Sequence, residues 1–277
     1  MIFVTDKGQL CINIIQYGHL YAWGREHGRR TMSMRFAHKY SDFHISHTRY
    51  HYRIVYLLAK LAARAGLIPT VVFQEMGSSY AEQQQVMLSR RWVLASGWCV
   101  RFFDLFDKYR EEIVALFGFS RRVVAHAEKR LAACAGDAVR LGVHIRRGDY
   151  ATWCGGHYFY NDEQYAGVIA RFCRLFPQKR VEIFICSNDP KLDRDYYRQR
   201  FGADCVHFPD GSPAEDLCLL SRCDYLTGAP STFTLVASMY RDTPLYWIAD
   251  ADAPVELSSF GTFARRHREF DGLYISA

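Results

Sequence analysis

From residue 139 to residue 249 the chain repeats one unit: a short apolar run, a turn rich in Gly, Ser, Asn or Asp, then a helical stretch. That rhythm confines this half to an α/β fold, because strands separated by helices pair in parallel and bury themselves under those helices. The spacing predicts a doubly wound parallel sheet. Strands are expected at 139–146, 181–187, 204–208, 225–228 and 244–249, with helices from Asn161, at 191–200, after Ser212 and after Ser231. Asp162 and Glu163 sit favourably in the first turn behind Asn161. Ser212, Pro213 and Glu215 spell a capping box with proline at the first helical position.

The first half alternates as well. A strand at 2–5 precedes a helix at 9–27, in which Leu10, Ile14, Tyr17 and Tyr21 recur at helical spacing and Gly28 supplies the stop. A strand at 31–36, a helix at 49–65, a strand at 70–74, a mixed stretch to Cys99 and helices at 104–117 and 120–135 follow. Gly136 and Asp137 mark a turn, so the expected domains are 1–136 and 137–277. The tail, 258–277, reads as a helix packing back on the first domain.

A chain of 277 residues suits two domains of ordinary size, and 49% apolar with 23% charged residues is a globular composition. No apolar stretch approaches the roughly 18 to 20 residues of a membrane span, and Met1 to Thr5 lead into a polar turn at Asp6, Lys7 and Gly8 rather than a signal-peptide core. A cytoplasmic location is the expectation. Nine cysteines fall at no framework spacing, and Cys173, Cys186 and Cys218 lie in apolar runs that suit buried free thiols. Cys154 with His157 lacks a second pair, so no metal is expected. The formal charge of +6 is dispersed over Arg29 with Arg30, Arg90 with Arg91, Arg121 with Arg122 and Arg265 with Arg266. With no zinc-finger or single-stranded RNA signature beside it, that distribution argues against a nucleic-acid partner.

The chemistry concentrates in the run from Val139 to Tyr150. Val139, Leu141, Val143 and Ile145 alternate with Arg140, Gly142, His144 and Arg146, which reads as a strand with one buried face. It delivers Arg146 and Arg147 to the carboxyl end of a strand, where ligands of open α/β sheets bind. Guanidinium forks match phosphate oxygens, so a diphosphate is the expected guest. Two adjacent arginines alone would also suit a solvated edge or an ion pair; His144, Asp149 and Tyr150 are what lift the run above that reading.

Three more loops lie at strand ends of this half. Ser187, Asn188 and Asp189 suit a turn with a cap as well as a ligand contact. Ser231 and Thr232 open a helix whose N–H groups attract phosphate, or simply cap it. Asp216 either favours the helix dipole or accepts from the ring N–H and amino group of guanine, a pattern that adenine and uracil do not offer.

His144, Arg146, Arg147 and Asp149 together match the His-x-Arg-Arg-x-Asp motif, and the chain here resembles the α-1,2-fucosyltransferases of glycosyltransferase family 11. Ser187 to Asp189 resembles that family's second motif, and Asp216, Leu217 and the following Leu219, Leu220 and Ser221 lead into its third at Ser231, Thr232 and Phe233. Gly8, Gln9 and Leu10 through Gln16 and Tyr17 resemble its glycine-rich start. The chain departs from the pattern at Ile12 and Asn13, where the family has Asn-Gln, and at Leu235 and Val236, where it has two tryptophans.

The resemblance implies a GT-B-like fold of two Rossmann-type domains, an acceptor-side domain at 1–136 and a GDP-sugar-binding domain at 137–277. It implies inverting transfer of fucose from GDP-β-L-fucose to a glycan or glycolipid hydroxyl, most readily the 2-hydroxyl of a terminal β-galactoside, without a further cofactor. Arg146, Arg147, Asp149 and His144 would then be catalytic, and Asn188, Asp189, Asp216, Ser231, Thr232, Gly8 and Asn13 would bind the donor. A lipid-linked acceptor would bring the protein to a membrane surface. Two other readings stand beside it: a metal-dependent GT-A transferase using Asp250 and Asp252, and a non-catalytic anion- or nucleotide-binding protein.

Overall fold

The computed structural model describes residues 1–5, 8–48, 53–74, 79–134 and 136–272. Two compact units, Met1–Ser120 and Arg121–Ala277, make up the chain. In the first, strands β1 (Ile2–Val4), β2 (Thr31–Ser33), β3 (Thr70–Val72) and β4 (Val93–Ser96) form a sheet in the order β2-β1-β4-β3, every pair parallel. Its helices are α1 (Leu10–Glu26), α2 (Phe36–Lys39), α3 (Arg53–Arg64), α4 (Ala81–Ser89), α5 (Phe103–Lys108) and α6 (Arg110–Leu116). The sequence reading missed α4 and β4 inside its mixed stretch and joined α5 to α6. Its second helix was expected to begin at Arg49, which lies outside the described residues.

The second unit carries α7 (Arg121–Leu131), β5 (Val139–Ile145), α8 (Asp162–Cys173), β6 (Val181–Ser187), α9 (Arg194–Phe201), β7 (Val206–His207), α10 (Pro213–Leu220), β8 (Tyr225–Gly228), α11 (Thr232–Met239), β9 (Leu245–Trp247) and α12 (Phe263–Glu269). The strands run parallel in the order β7-β6-β5-β8-β9. This is the expected doubly wound sheet. Chain direction across the sheet reverses between β5 and β8, and the crevice at such a switch point, beyond the carboxyl ends of the strands, is where this architecture binds ligands.

Three expectations need correction. The units divide between Ser120 and Arg121 rather than after residue 136, because α7 packs on α10 of the second unit. The tail helix α12 packs on α11 and belongs to the second unit, where it buries Phe263. Both faces of β5 are buried, not one: Leu141, Val143 and Ile145 join Tyr165, Ile169 and Phe172 of α8, while Gly142 lies against Leu220 and Leu226. A parallel sheet wound on both sides leaves no strand face to water.

Candidate active site

Residues leaving a strand alternate sides, and that alternation sorts the motif after β5. His144 and Arg146 continue the face toward α11, while Ile145 and Arg147 continue the face toward α8. His144 is buried, stacks on Phe233 with ring centroids 4.6 Å apart, and approaches the Ser231 hydroxyl through Nδ1 at 3.4 Å. Burial, with the Arg146 charge adding to it, pulls this imidazole down to about 3, so it is neutral. It is a packing and hydrogen-bonding group. Gly228 stands beside it in the β5–β8 register, where a Cβ would come within 2.5 Å of the His144 carbonyl oxygen.

Arg147 turns inward. Its Nε donates to the Tyr160 carbonyl at 3.1 Å, and its two terminal nitrogens bind Asp189 at 3.1 Å and Asp162 at 2.6 Å. Burial opposes the charge, but the two carboxylates more than offset it and raise the guanidinium's pKa. Tyr197 donates a further hydrogen bond to Asp162 at 2.9 Å. The guanidinium therefore ties α8 and the loop after β6 to the end of β5. Asp162, treated at the sequence level as a helix-start acid, is a member of this network; its signal was Arg147 on the α8 face of the strand.

Arg146 takes the other direction. It binds Asp149 through Nε at 3.3 Å and through a terminal nitrogen at 2.7 Å, and its guanidinium lies 5.0 Å from the Tyr150 ring centre. About half of the Asp149 side chain remains exposed (54%). Asp149 is the open end of this pair, and the Arg146 side chain is partly exposed at 20%, twice the 10% of Arg147. The Tyr150 hydroxyl donates to the Pro230 carbonyl, joining this loop to the loop after β8.

Ser231 caps α11 through the Thr234 N–H at 3.4 Å and is itself buried, so its hydroxyl is committed inward. Thr232, the first residue of the helix, is partly exposed. The first-turn N–H groups of an α-helix have no intrahelical acceptor, and with that of Thr234 taken by Ser231, those of Thr232 and Phe233 stand at the β8 side of the switch point.

Asp216 lies one strand further on. It lines a cavity of about 250 Å³ with Cys186, Asp189, Arg194, Phe208 and Asp210. That volume is below the roughly 300 to 1,000 Å³ that holds a whole drug-sized ligand, and it suits one ring system of a larger molecule. Arg194 lies over the Phe208 ring and pairs with Asp210 at 2.6 Å. Burial pushes the Asp216 carboxyl up to about 7; the Gly211 N–H at 3.1 Å opposes this, and the Asp210 and Glu215 charges add to it. The Arg194, Phe208 and Asp210 group went unread in the sequence, since these residues meet only through β7 and the α9 start.

Of the expected site residues, His144, Arg146, Arg147, Asp149, Asn188, Asp189, Ser231 and Thr232 gather at the β5, β6 and β8 ends, with Asp216 in the adjoining cavity. Gly8 and Asn13 belong to the first unit. There Gly8 has a positive φ of 85° before α1, and the buried Asn13 amide donates to the Gln9 carbonyl at 2.7 Å. Asp250 and Asp252 form a turn after the edge strand β9, in which an Asp250 oxygen accepts the Asp252 N–H at 2.9 Å. Among the described residues, Cys134, Glu182 and His207 come together as metal-ligand types, at the opposite end of β6 from Asn188.

Solved structures share this architecture. A mutant of Arabidopsis thaliana FUT1 in complex with GDP aligns with a TM-score of 0.63 at 11% identity, over 94% of this chain and 73% of that one. NodZ α-1,6-fucosyltransferase soaked with GDP-fucose aligns at 0.56 and 13% identity, over 94% and 96%. POFUT1 in complex with GDP-fucose gives 0.56 at 12%, over 89% and 96%. At such identities the likeness is one of fold. No curated protein matches the chain by sequence. The profile of glycosyl transferase family 11 matches residues 87–244, more than half the chain and every strand-end loop of the second unit's site, and the chain belongs to that family.

Proposed function

We propose that this glycosyltransferase moves L-fucose from GDP-β-L-fucose to a glycan hydroxyl, with inversion, and that the 2-hydroxyl of a terminal β-galactoside is the acceptor. The observation that carries the reading is the division of labour between the two arginines. Arg147 is closed inside an ion-pair network, and Arg146 stands at the switch point beside a helix N-terminus, where a diphosphate would sit. The fold shared with proteins solved in complex with GDP or GDP-fucose supports the donor.

In this reading the acceptor hydroxyl attacks C1 of the β-linked sugar, the C1–O bond to GDP breaks and the hydroxyl proton passes to solvent, leaving an α-fucoside. Arg146 and the α11 N–H groups stabilise the charge growing on the departing β-phosphate, donors aimed where charge develops. Asp149 holds the guanidinium in place through both carboxylate oxygens until the diphosphate arrives. His144, Asn188, Asp189 and Arg147 position this arrangement, and Asp216 in its cavity accepts from guanine. Arginine and helix dipole supply the charge that a divalent metal supplies in other transferases, so no metal is required.

The test is incubation of the protein with GDP-fucose and a panel of galactosides, with and without chelator, read by mass spectrometry and proton NMR. An α-1,2-fucoside formed equally well in EDTA is expected. A β-linked product would overturn inversion, transfer of mannose alone would overturn the donor, and activity abolished by EDTA and restored by manganese would return the choice to Asp250 and Asp252.

A further inference from the structure

Helix α3 is turned inside out relative to an ordinary surface helix. Its inward face is made of three alanines and one tyrosine: Ala59 is buried in a cluster with Phe3, Met32 and Met34, and Tyr56, Ala62 and Ala63 are packed against it. The large aliphatic residues point outward. Ile54 is 71% exposed, Leu57 47%, Leu58 60% and Leu61 61%, and their i, i+3, i+4, i+7 spacing makes one continuous stripe. A soluble surface rarely carries such a stripe without a use for it. It runs most of a helix about 18 Å long.

A second observation specifies what covers it. Arg53, Lys60 and Arg64 follow one another along one flank of the stripe, and on that side two cavities of about 540 and 390 Å³ are lined by Arg35, His38, Arg53, Tyr56, Lys60 and Arg64, with no acidic residue among the described residues of either lining. The surface is thus apolar along its crest and cationic along its flank. A second copy of the chain would set these cations against themselves, since a two-fold contact repeats the same patch on both sides. A bilayer with acidic headgroups offers hydrocarbon to the crest and phosphate to the flank over the whole length of the helix.

We propose that α3 docks the protein on the surface of an anionic phospholipid membrane, lying in the interface with Ile54, Leu57, Leu58 and Leu61 in the acyl boundary and phosphate headgroups in the basic groove. No helix among the described residues is long and apolar enough to cross a membrane, so the contact is one of adsorption. This rests on the first unit alone and is independent of the donor chemistry of the second.

Sedimentation with phosphatidylcholine vesicles, with and without phosphatidylglycerol, tests it. Wild-type protein is expected to bind the phosphatidylglycerol vesicles, to ignore the neutral ones and to be released by salt. The double variant L58E/L61E should lose binding, and R53Q/K60Q/R64Q should weaken it by about 100-fold, three basic residues at roughly five-fold each. All of these substitutions are at exposed positions, so circular dichroism and GDP affinity are expected to remain at wild-type values, which separates this proposal from the fate of the donor site. Wild-type protein that fails to bind anionic vesicles, or L58E/L61E that binds as wild type does, overturns it. So does a wild-type dimer that L58E/L61E dissolves and that ignores vesicles, because the stripe then belongs to a second copy.

Discussion

Asn188 bonds to both backbone groups of Arg147: its side-chain oxygen accepts the Arg147 N–H at 2.8 Å and its amide donates to the Arg147 carbonyl at 3.2 Å. The loop after β6 is thereby stitched to the loop after β5. Asn188→Ala leaves two part-buried backbone groups without partners, and urea unfolding should show a loss of about 1 to 3 kcal/mol. Arg147→Met should cost more, about 3 to 5 kcal/mol, since it strands Asp162 and Asp189 beside each other without their cation. Unfolding midpoints of both variants at wild-type values would dissolve the network as a structural device.

Arg146 should behave in the opposite manner. Arg146→Lys keeps the charge but loses the fork, so stability should stay within about 0.5 kcal/mol of wild type while GDP affinity falls by about 1.5 to 3 kcal/mol, ten-fold to more than a hundred-fold. Calorimetric titration with GDP, run beside a thermal melt, separates the two. A large loss of stability with GDP affinity intact would exchange the roles of the two arginines.

Asp216 sets a pH dependence. Its carboxyl is raised from 3.8 to about 7, so the folded protein holds this proton more tightly than the unfolded chain does. The stabilisation is complete below the unfolded value of 3.8 and is lost as pH rises through about 7. Guanine recognition needs the carboxylate, so GDP should bind more weakly at pH 6 than at pH 8 and should expel a proton on binding at pH 6. Calorimetry in buffers of different ionisation enthalpy counts that proton. Asp216→Asn should abolish its release; release undiminished in that variant would assign the proton elsewhere.

Gly228→Ala tests how closely β8 must approach β5. A Cβ there would stand 2.5 Å from the His144 carbonyl oxygen, and a backbone atom cannot swing aside as a side chain can. The strands must separate at the switch point, at about 1 to 3 kcal/mol. Thermal melting should register the loss together with weakened GDP binding, and a variant as stable as wild type would mean the pair of strands is looser than described.

The sequence was most legible where a local rule determined the outcome. Strands β6 and β8 were read to the residue, and Asn161, Ser212 and Ser231 all cap their helices as their side chains predict. Strand β4 was lost because its four residues carry too little period to stand out from apolar neighbours such as Trp92, Trp98 and Val100. Arg146 and Arg147 read alike in the sequence, but the alternation recognised in β5 extends to them: neighbours on a strand face opposite ways, and Arg147 follows Ile145 toward α8, where it meets Asp162. The cavity around Asp216 was beyond reach, since Arg194 and Phe208 acquire a common role only once β7 and α9 are folded.

In the proposed function, the strand ends of the second unit bind a guanosine diphosphate. Calorimetric titration of the full chain with GDP, UDP, ADP and CDP tests it most directly. GDP is expected to be the tightest ligand, with UDP weaker by more than about ten-fold and that preference lost in Asp216→Asn. Equal affinity for GDP and UDP in the wild-type protein, or a preference unchanged by Asp216→Asn, would contradict it.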